Sequence, residues 1–329
     1  MTLHRRHLTL GVLSACIAAG LPLGLAHAQG FPAKTITLVV PFPPGGGPDI
    51  AARVLAEKLA PALGQPVVVE NKPGAGALIG ANQVAKSPAD GHTLLFTPNT
   101  MVISPHVLAP GAGGGVDVHK DLVPVVAPAT TPLVLVAHPS LGVTTLKGLV
   151  EAARKTPGVP YGSAGNGSPM HFAGEMLKKS TGLDLLHVPY RGVAPSVTAA
   201  LGGEVKLLYV GLGGALPHIK SGKLLPLAVT EKSRSSLMPE VPTATEQGVA
   251  NVEVNAWYGV FAPAGTPPAV ITRLNTAFND AIKLPDVREK FKGAGIEAVG
   301  GSSQVLADYM AADRQKYGTL AKELNIKAD

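Results

Sequence analysis

One cysteine, Cys16, is all the chain has, and it lies in an N-terminal segment that reads as removable. The mature chain therefore has no disulfide and no thiol nucleophile, and its stability must come from packing. Aromatic residues make up only 4%, so the cores must be built from Ala, Val and Leu. Charge is sparse as well. The formal +6 falls to +4 without Arg5 and Arg6, and the remaining Lys and Arg form no runs, which argues against nucleic acid. A mild positive excess is compatible with an anionic ligand but does not establish one. Catalytic signatures are missing too. There is no G-x-S-x-G elbow, and His92, His106, His119, His187 and His218 show neither H-x-x-x-H nor H-E-x-x-H spacing. No metal and no cofactor are expected.

What the chain does have begins with a basic start at Arg5 and Arg6, an uncharged apolar run from Leu8 to Leu25, and Ala26 and Ala28 flanking His27. This predicts a secretory signal, residues 1–28, cleaved after Ala28, and a periplasmic mature protein. A transmembrane anchor is disfavoured by Pro22 and the A-x-A site. The Arg5-Arg6 pair leaves twin-arginine export open beside the general route. Leu13 to Cys16 resembles a lipoprotein box, but it sits inside the apolar run, so a lipid anchor through Cys16 is the lesser reading. A second uncharged stretch, Leu122 to Leu146, carries Pro124, Pro128, Pro132 and Pro139, which exclude a regular helix and predict buried strand and crossover.

From Thr35 the chain repeats one grammar: apolar strand, glycine-rich turn, helix. TITLVVPF, PVVVEN and HTLLFTPN are strands of a largely parallel α/β sheet. After the Pro-rich crossover the same order restarts with VPYGSAGNGSPMH, LLHVPYRG, EVKLLYVGLGG and LLPLAVT. The C-terminal part offers one more strand, VNAWYGVFAPAG, and two amphipathic helices, which return to cover the first half. The expected organisation is a discontinuous lobe I (29–130 plus 230–329) and a lobe II (131–229), joined by crossings near Thr131 and Thr230 that act as a hinge.

Ligands of open parallel sheets sit beyond the carboxyl ends of the strands, where helix starts present free N–H groups and partial positive charge. In PFPPGGGPD, Pro43 and Pro44 stiffen the entry. Gly45, Gly46 and Gly47 allow close backbone approach, and Asp49 either caps the helix or touches the ligand. The turn lacks the Gly-Lys-Ser/Thr ending of a phosphate loop, so a carboxylate suits it better than a nucleotide. In YGSAGNGSPMH, Ser163 and Ser168 supply hydroxyls, Gly165 and Gly167 bare backbone, and His171 a side chain one turn into the helix. Thr97, Asn99 and Thr100, and Tyr190 with Arg191, end two further strands, where a ligand contact and a capping or rim role are equally open.

The same residues permit an enzyme reading, a secreted hydrolase with Ser163 or Ser168 as nucleophile, His171 as base and Asp184 as orienter. A binding protein reporting to a membrane sensor is a third reading.

ITLVVPFPPGGGPDIAARVLAEKL, GQPVVVENKPGAGALIGANQVAKSPADGHTLLF, YGSAGNGSPMHFAGEML, HVPYRG, PTATEQG and WYGVFAPAGTP together resemble the tripartite tricarboxylate transporter receptors, the Bug family of periplasmic binding proteins. The likeness runs from about Phe31 to the C-terminus. It implies two α/β lobes in the type II periplasmic-binding-protein arrangement, a small carboxylate ligand, a monomeric receptor, and partnership with a small and a large integral membrane subunit. It also implies that the turns from Phe42 to Asp49 and from Ser163 through Ala164 and Asn166 to His171 hold a ligand carboxylate. One departure stands out: where the family usually has acids, this chain has Lys206 and Val210. A cleft-facing Val210 would mean a less polar ligand tail.

Overall fold

The computed structural model describes residues 30–327, so the signal segment, its cleavage after Ala28 and Cys16 lie outside the described residues. In chain order the elements are β1 (Ile36–Val40), α1 (Gly47–Leu63), β2 (Val67–Asn71), α2 (Leu78–Ala85), β3 (Thr93–Pro98), α3 (Thr100–Ile103), β4 (Leu122–Thr131) and β5 (Leu133–Ala137). There follow α4 (Leu146–Lys155), β6 (Val159–Ser163), α5 (Pro169–Thr181), β7 (Leu185–Pro189), α6 (Val193–Leu201), β8 (Leu207–Gly211), α7 (Leu212–Lys220) and β9 (Leu225–Val229). The chain then runs through β10 (Ala256–Pro263), α8 (Pro268–Lys283), α9 (Pro285–Gly293), β11 (Glu297–Ala298) and α10 (Ser303–Glu323).

Two sheets result, ordered β11-β4-β10-β3-β1-β2 and β7-β6-β8-β5-β9. Pairings among β1, β2 and β3, and among β6, β7 and β8, are parallel, as the strand-turn-helix grammar predicts. The sheets as wholes are mixed, because β10 returns antiparallel between β3 and β4 and because β5 runs antiparallel to both neighbours. Each sheet is covered on both faces. Alternation along β10 sends Tyr258, Val260 and Ala262 to the layer with α1, α8 and α9, and Trp257 and Phe261 to the layer with α2 and the start of α10. In the second sheet Leu207 and Tyr209 face α4 and α5, while Leu208 and Val210 face α6 and α7.

The uncharged Pro-rich stretch is strand and crossover. β4 ends at Thr131, Pro132 intervenes, and β5 begins at Leu133 in the other sheet. Pro128 is accommodated at a bulge, where the register with β10 slips between Ala129 opposite Tyr258 and Val126 opposite Val260. The return crossing is later than Thr230. Thr230 exchanges backbone bonds with Leu133 and Val254, and Ala244 bonds Val229, so the segment up to Val254 stays with the second sheet and the first is re-entered at Ala256. The apolar pattern alone placed this boundary too early, because 231–254 has little regular structure to mark which sheet it joins.

The two predicted C-terminal helices are three. Pro285 starts α9 after an extended Leu284, since the residue before proline avoids the helical region. The last helix, α10, does not simply cover the first sheet. Leu306 and Met310 pack in the first sheet's core, whereas Tyr317 and Ala321 pack in the second's. At 21 residues it is about 30 Å long, enough to reach both.

Candidate functional site

Between the carboxyl ends of the two sheets lies an inner chamber lined by Phe42, Pro43, Gly46, Gly47 and Pro48 of the first turn and by Pro98, Thr100, Thr131, Ala256 and Tyr258 of the same sheet. The second sheet contributes Ala164, Pro169, Met170, Val193, Ala194, Gly211, Gly213 and Gly214. The chamber itself is small, about 30 Å³, and Phe42, Pro43, Thr100 and Ala164 also border an adjoining cavity of about 490 Å³, the mouth, with the Pro73–Ala77 turn, Gly165, Asn166, Tyr190, Arg191 and Gly192. The walls approach closely. A Cβ on Gly192, whose φ is +116°, would stand 3.2 Å from Pro43, and one on Gly46 would stand 3.8 Å from Val193.

Four helices begin at this chamber. α1, α5, α6 and α7 are capped by Gly46, Ser168, Gly192 and Gly211 and run for 17, 13, 9 and 9 residues. The first-turn residues of each line the cavity. A helix start carries roughly half a positive charge, so four of them bias the chamber towards an anion without any cationic side chain, although Pro48 and Pro169 bring no N–H there and Ser168 already accepts the His171 N–H. Among the described residues the lining of chamber and mouth holds no Asp or Glu, and Arg191 at the mouth is its one Lys or Arg.

The predicted residues divide. Phe42, Pro43, Gly46, Thr100 and Ala164 line the chamber, and Gly165, Asn166 and Tyr190 line the mouth. Gly45, Asp49, Thr97, Asn99, Ser163, Ser168, His171 and Val210 are absent from both linings.

Several of these residues build the turns from behind. Asp49 is buried, and its carboxylate accepts from the Gly45 N–H (3.0 Å), from Arg53 (3.1 Å) and from Asn71 (2.9 Å). Asn71 also donates to the Phe42 carbonyl at 2.9 Å, so a single knot ties the first turn to β2. Burial by itself would raise the Asp49 pKa, but the hydrogen bonds from Arg53, Gly45 and Asn71 and the Arg53 charge leave it lowered. Replacing Asp49 by Ala is expected to destabilise the protein by about 1–3 kcal/mol, mostly through the orphaned donors, as measured by urea unfolding. Half the Arg53 side chain is exposed, so its charge adds little to that sum.

Ser168 caps α5, accepting the His171 N–H at 3.2 Å and donating to the Gly165 carbonyl at 2.7 Å. Ser163 Oγ lies 2.7 Å from His187 Nε2 and accepts the Gly165 N–H at 3.1 Å. His171 Nδ1 accepts the Gly167 N–H at 3.3 Å, and its ring stacks on His187 with centroids 3.8 Å apart. Neither serine hydroxyl meets the His171 ring, both serines are buried, and Asp184 is exposed at the far end of β7. The hydrolase constellation of Ser163 or Ser168 with His171 and Asp184 is not assembled. These groups instead shape the 163–168 turn.

Asn99 donates to the Asn255 carbonyl (3.0 Å) and to Asp313 (2.8 Å), joining β3 to the return crossing and to α10. Thr97 is fully buried and donates to the Pro98 carbonyl. Val210 is buried under α6 and α7, because strand alternation turns it into the core, and Lys206 is exposed at the opposite end of β8. The suggestion of a less polar ligand tail opposite Val210 therefore loses its basis.

The Pro73–Ala77 turn, the Gly211–Gly214 start of α7 and the Val193–Ala194 start of α6 line these spaces without being among the expected site residues. The first two carry the same strand, glycine and helix signal as the two expected turns. Tyr258 and Ala256 carry no such signal, since only the antiparallel insertion of β10 brings them to the chamber.

Comparison with known proteins follows the same lines. The profile of the tripartite tricarboxylate transporter family receptor matches residues 51–326. Protein BugT of Bordetella pertussis is 36% identical over 329 residues, covering 99% of each chain. Among solved structures, a protein of R. palustris with adipate is 34% identical and superposes with a TM-score of 0.86 over 90% of this chain and 99% of its own. MatC of Rhodopseudomonas palustris with bound malate is 29% identical, with a TM-score of 0.82 over 88% and 99%.

Proposed function

The chain belongs to the tripartite tricarboxylate transporter receptor family, and from that premise we propose that it is an exported receptor that captures a small carboxylate between its two sheets and delivers it to a tripartite transporter. The observation that carries this reading is the convergence of four helix starts on a chamber whose described lining has no acid. A carboxylate placed there accepts backbone N–H bonds at roughly 1.5–3 kcal/mol each. A handful of these, after the cost of closure, gives micromolar affinity, about −8 kcal/mol. The adipate and malate held by the two relatives fit such a chamber in chemistry.

Capture works by closure about the two crossings, at Pro132 and at Asn255. A ligand touching both walls favours the closed arrangement because only that arrangement satisfies both of its sides. In this reading the two halves are lobes and the ligand is gripped by Phe42, Pro43, Gly46, Thr100, Ala164, Gly165, Asn166 and Tyr190. Export with cleavage after Ala28 delivers a monomer to the periplasm, where a small and a large integral membrane subunit receive the cargo. Among the described residues no helix is long and apolar enough to cross a membrane.

The test is a thermal-shift panel of adipate, malate and citrate, with adipamide as the uncharged control. A ligand at a hundred times its Kd stabilises by about 2.7 kcal/mol, or roughly 5 °C for a chain of this size. At least one carboxylate should produce such a shift and adipamide none. A flat response to every carboxylate, or an equal response to the diamide, sinks the proposal.

A further inference from the structure

We propose that the groove along α10 holds a second anion site, separate from the chamber and its mouth, which takes a doubly charged tetrahedral oxyanion of the sulfate or phosphate type. The groove, about 860 Å³, is lined by one face of α10 between Ala307 and Glu323 and, opposite, by His106, His119, Leu122 and Pro124. It shares no lining residue with the chamber or the mouth. Four of its side chains are cationic or become so on taking up a proton: His106, His119, Arg314 and Lys322. Its one acid, Glu323, is held by Lys179 at 3.1 Å.

Spacing on the helix brings these groups together. Arg314, Gly318 and Lys322 follow one another at four-residue steps, so they lie along one ridge, with the glycine between two cations whose backbones are about 12 Å apart. Glycine inside a helix is destabilising relative to alanine. Here the room it leaves is taken by His106, since a Cβ on Gly318 would stand 3.1 Å from His106 Cε1 and 3.4 Å from its Nδ1. The result is a notch with an imidazole floor and a long cationic side chain on each side. Among the described residues neither Arg314 nor Lys322 has an ion-pair partner, and His106 Nε2 is buried without a hydrogen bond. The positive field is thus uncompensated. Burial, then the Arg314 and Lys322 charges, hold the His106 pKa below its usual value. Burial and Arg314, with a smaller push from His106, do the same for His119 against the pull of Asp117, which already pairs with Lys120 at 3.3 Å. A doubly charged anion offsets both fixed cations and lets the imidazoles take up protons, so its binding strengthens as the pH falls through the histidine range. A tetrahedral oxyanion accepts from several directions at once, as donors on two facing elements require, whereas a carboxylate accepts in one plane.

The experiment is a titration of the protein with sulfate at constant ionic strength, with acetate as the planar control, followed through the histidine ring signals by NMR. His106→Gln and His119→Gln assign the two signals. Sulfate keeps its double charge across the histidine range, so any pH dependence belongs to the protein. The His106 and His119 signals should shift saturably with a Kd of about 1 mM, and binding should be about threefold tighter near pH 6 than near pH 7.5. Arg314→Gln and Lys322→Gln, both at exposed positions, should each weaken sulfate about threefold and together about tenfold. Gly318→Ala keeps both cations and should weaken it as well by filling the notch. The site is overturned if sulfate fails to saturate below about 20 mM, if acetate binds as tightly, or if the double variant or Gly318→Ala binds sulfate as the parent does. Shifts confined to His171 and His187 would place the anion at the 163–168 turn and overturn it equally. The carboxylate panel tests the receptor reading separately, because none of these residues lines the chamber or the mouth.

Discussion

Replacing Gly213 by Ala is expected to lower stability by on the order of 1–3 kcal/mol and to weaken carboxylate binding at least tenfold. A Cβ at Gly213 would lie 2.2 Å from the Ala294 carbonyl oxygen, far inside any allowed contact. The obstacle is backbone, so no side-chain rotation relieves it. The contact is mutual. Gly295, with φ at +66°, could not carry a Cβ either, since that atom would stand 2.6 Å from the Gly213 nitrogen. Thr131 Oγ1 donates to the Gly295 carbonyl at 3.2 Å, which holds the partner turn in place. The start of α7 must therefore move, and Gly213 and Gly214 line the inner chamber, so the displacement carries one of the four helix starts at the chamber with it. Gly46→Ala is the control for stability, because its nearest contacts, at 3.7 and 3.8 Å, are ordinary and its φ is not left-handed. Urea unfolding and calorimetry on both variants decide the matter. A Gly213→Ala protein equal to the parent in both measurements would show that the contact is dispensable.

Acidification is the second large effect. Burial, helped by the Lys178 charge, lowers the His171 pKa to about 4. Burial, then His171 and Lys178, against the opposing pull of Glu175, lower that of His187 to about 3. The unfolded chain binds protons on both residues near pH 6.5, while the folded chain does not, so unfolding takes up protons across this window. The associated stability is full above pH 6.5 and is lost as the pH falls from 6.5 towards 4, with His187 still losing its share down to about 3. For His171 alone the loss is on the order of 3 kcal/mol. Its consequence is local as well, since Ser163 contacts His187 and Gly167 donates to His171, so protonation also loosens the 163–168 turn. His187→Gln keeps a polar partner for Ser163 without titrating. Urea unfolding between pH 7 and pH 4 should show a clearly shallower loss for this variant than for the parent. Equal slopes would mean that the stacked pair does not govern acid stability. The lowered Asp49 contributes in a separate and lower window, below pH 4, where its carboxylate takes up a proton and gives up the Gly45, Arg53 and Asn71 bonds.

Much of this protein is legible from local pattern. Apolar strands followed by glycine and then by an amphipathic run placed β1, β3, β6 and β8 and their helices, because burial on both faces and helix starts leave marks within a few residues of one another. The same marks located the first turn and the 163–168 turn. Asp49, Ser163, Ser168 and His171 are expected from the sequence as ligand contacts, and in the structure they brace those turns from outside both linings, for direction is not encoded in spacing. A carboxylate at the third residue of a helix can point at a ligand or back at its own turn, and here Arg53, Asn71 and the Gly45 N–H decide for the turn. Tyr258, Ala256 and Thr131 reach the chamber only because β10 inserts antiparallel between β3 and β4. The return to the first sheet at Ala256 and the packing of α10 against both cores are likewise decided by contacts between residues over a hundred positions apart. By itself the sequence determined which segments are strands and helices and where glycine lets the backbone approach. Only the tertiary structure decided which turns meet and which side chains face the cavity, because facing depends on strand order and on partners that local periodicity does not see.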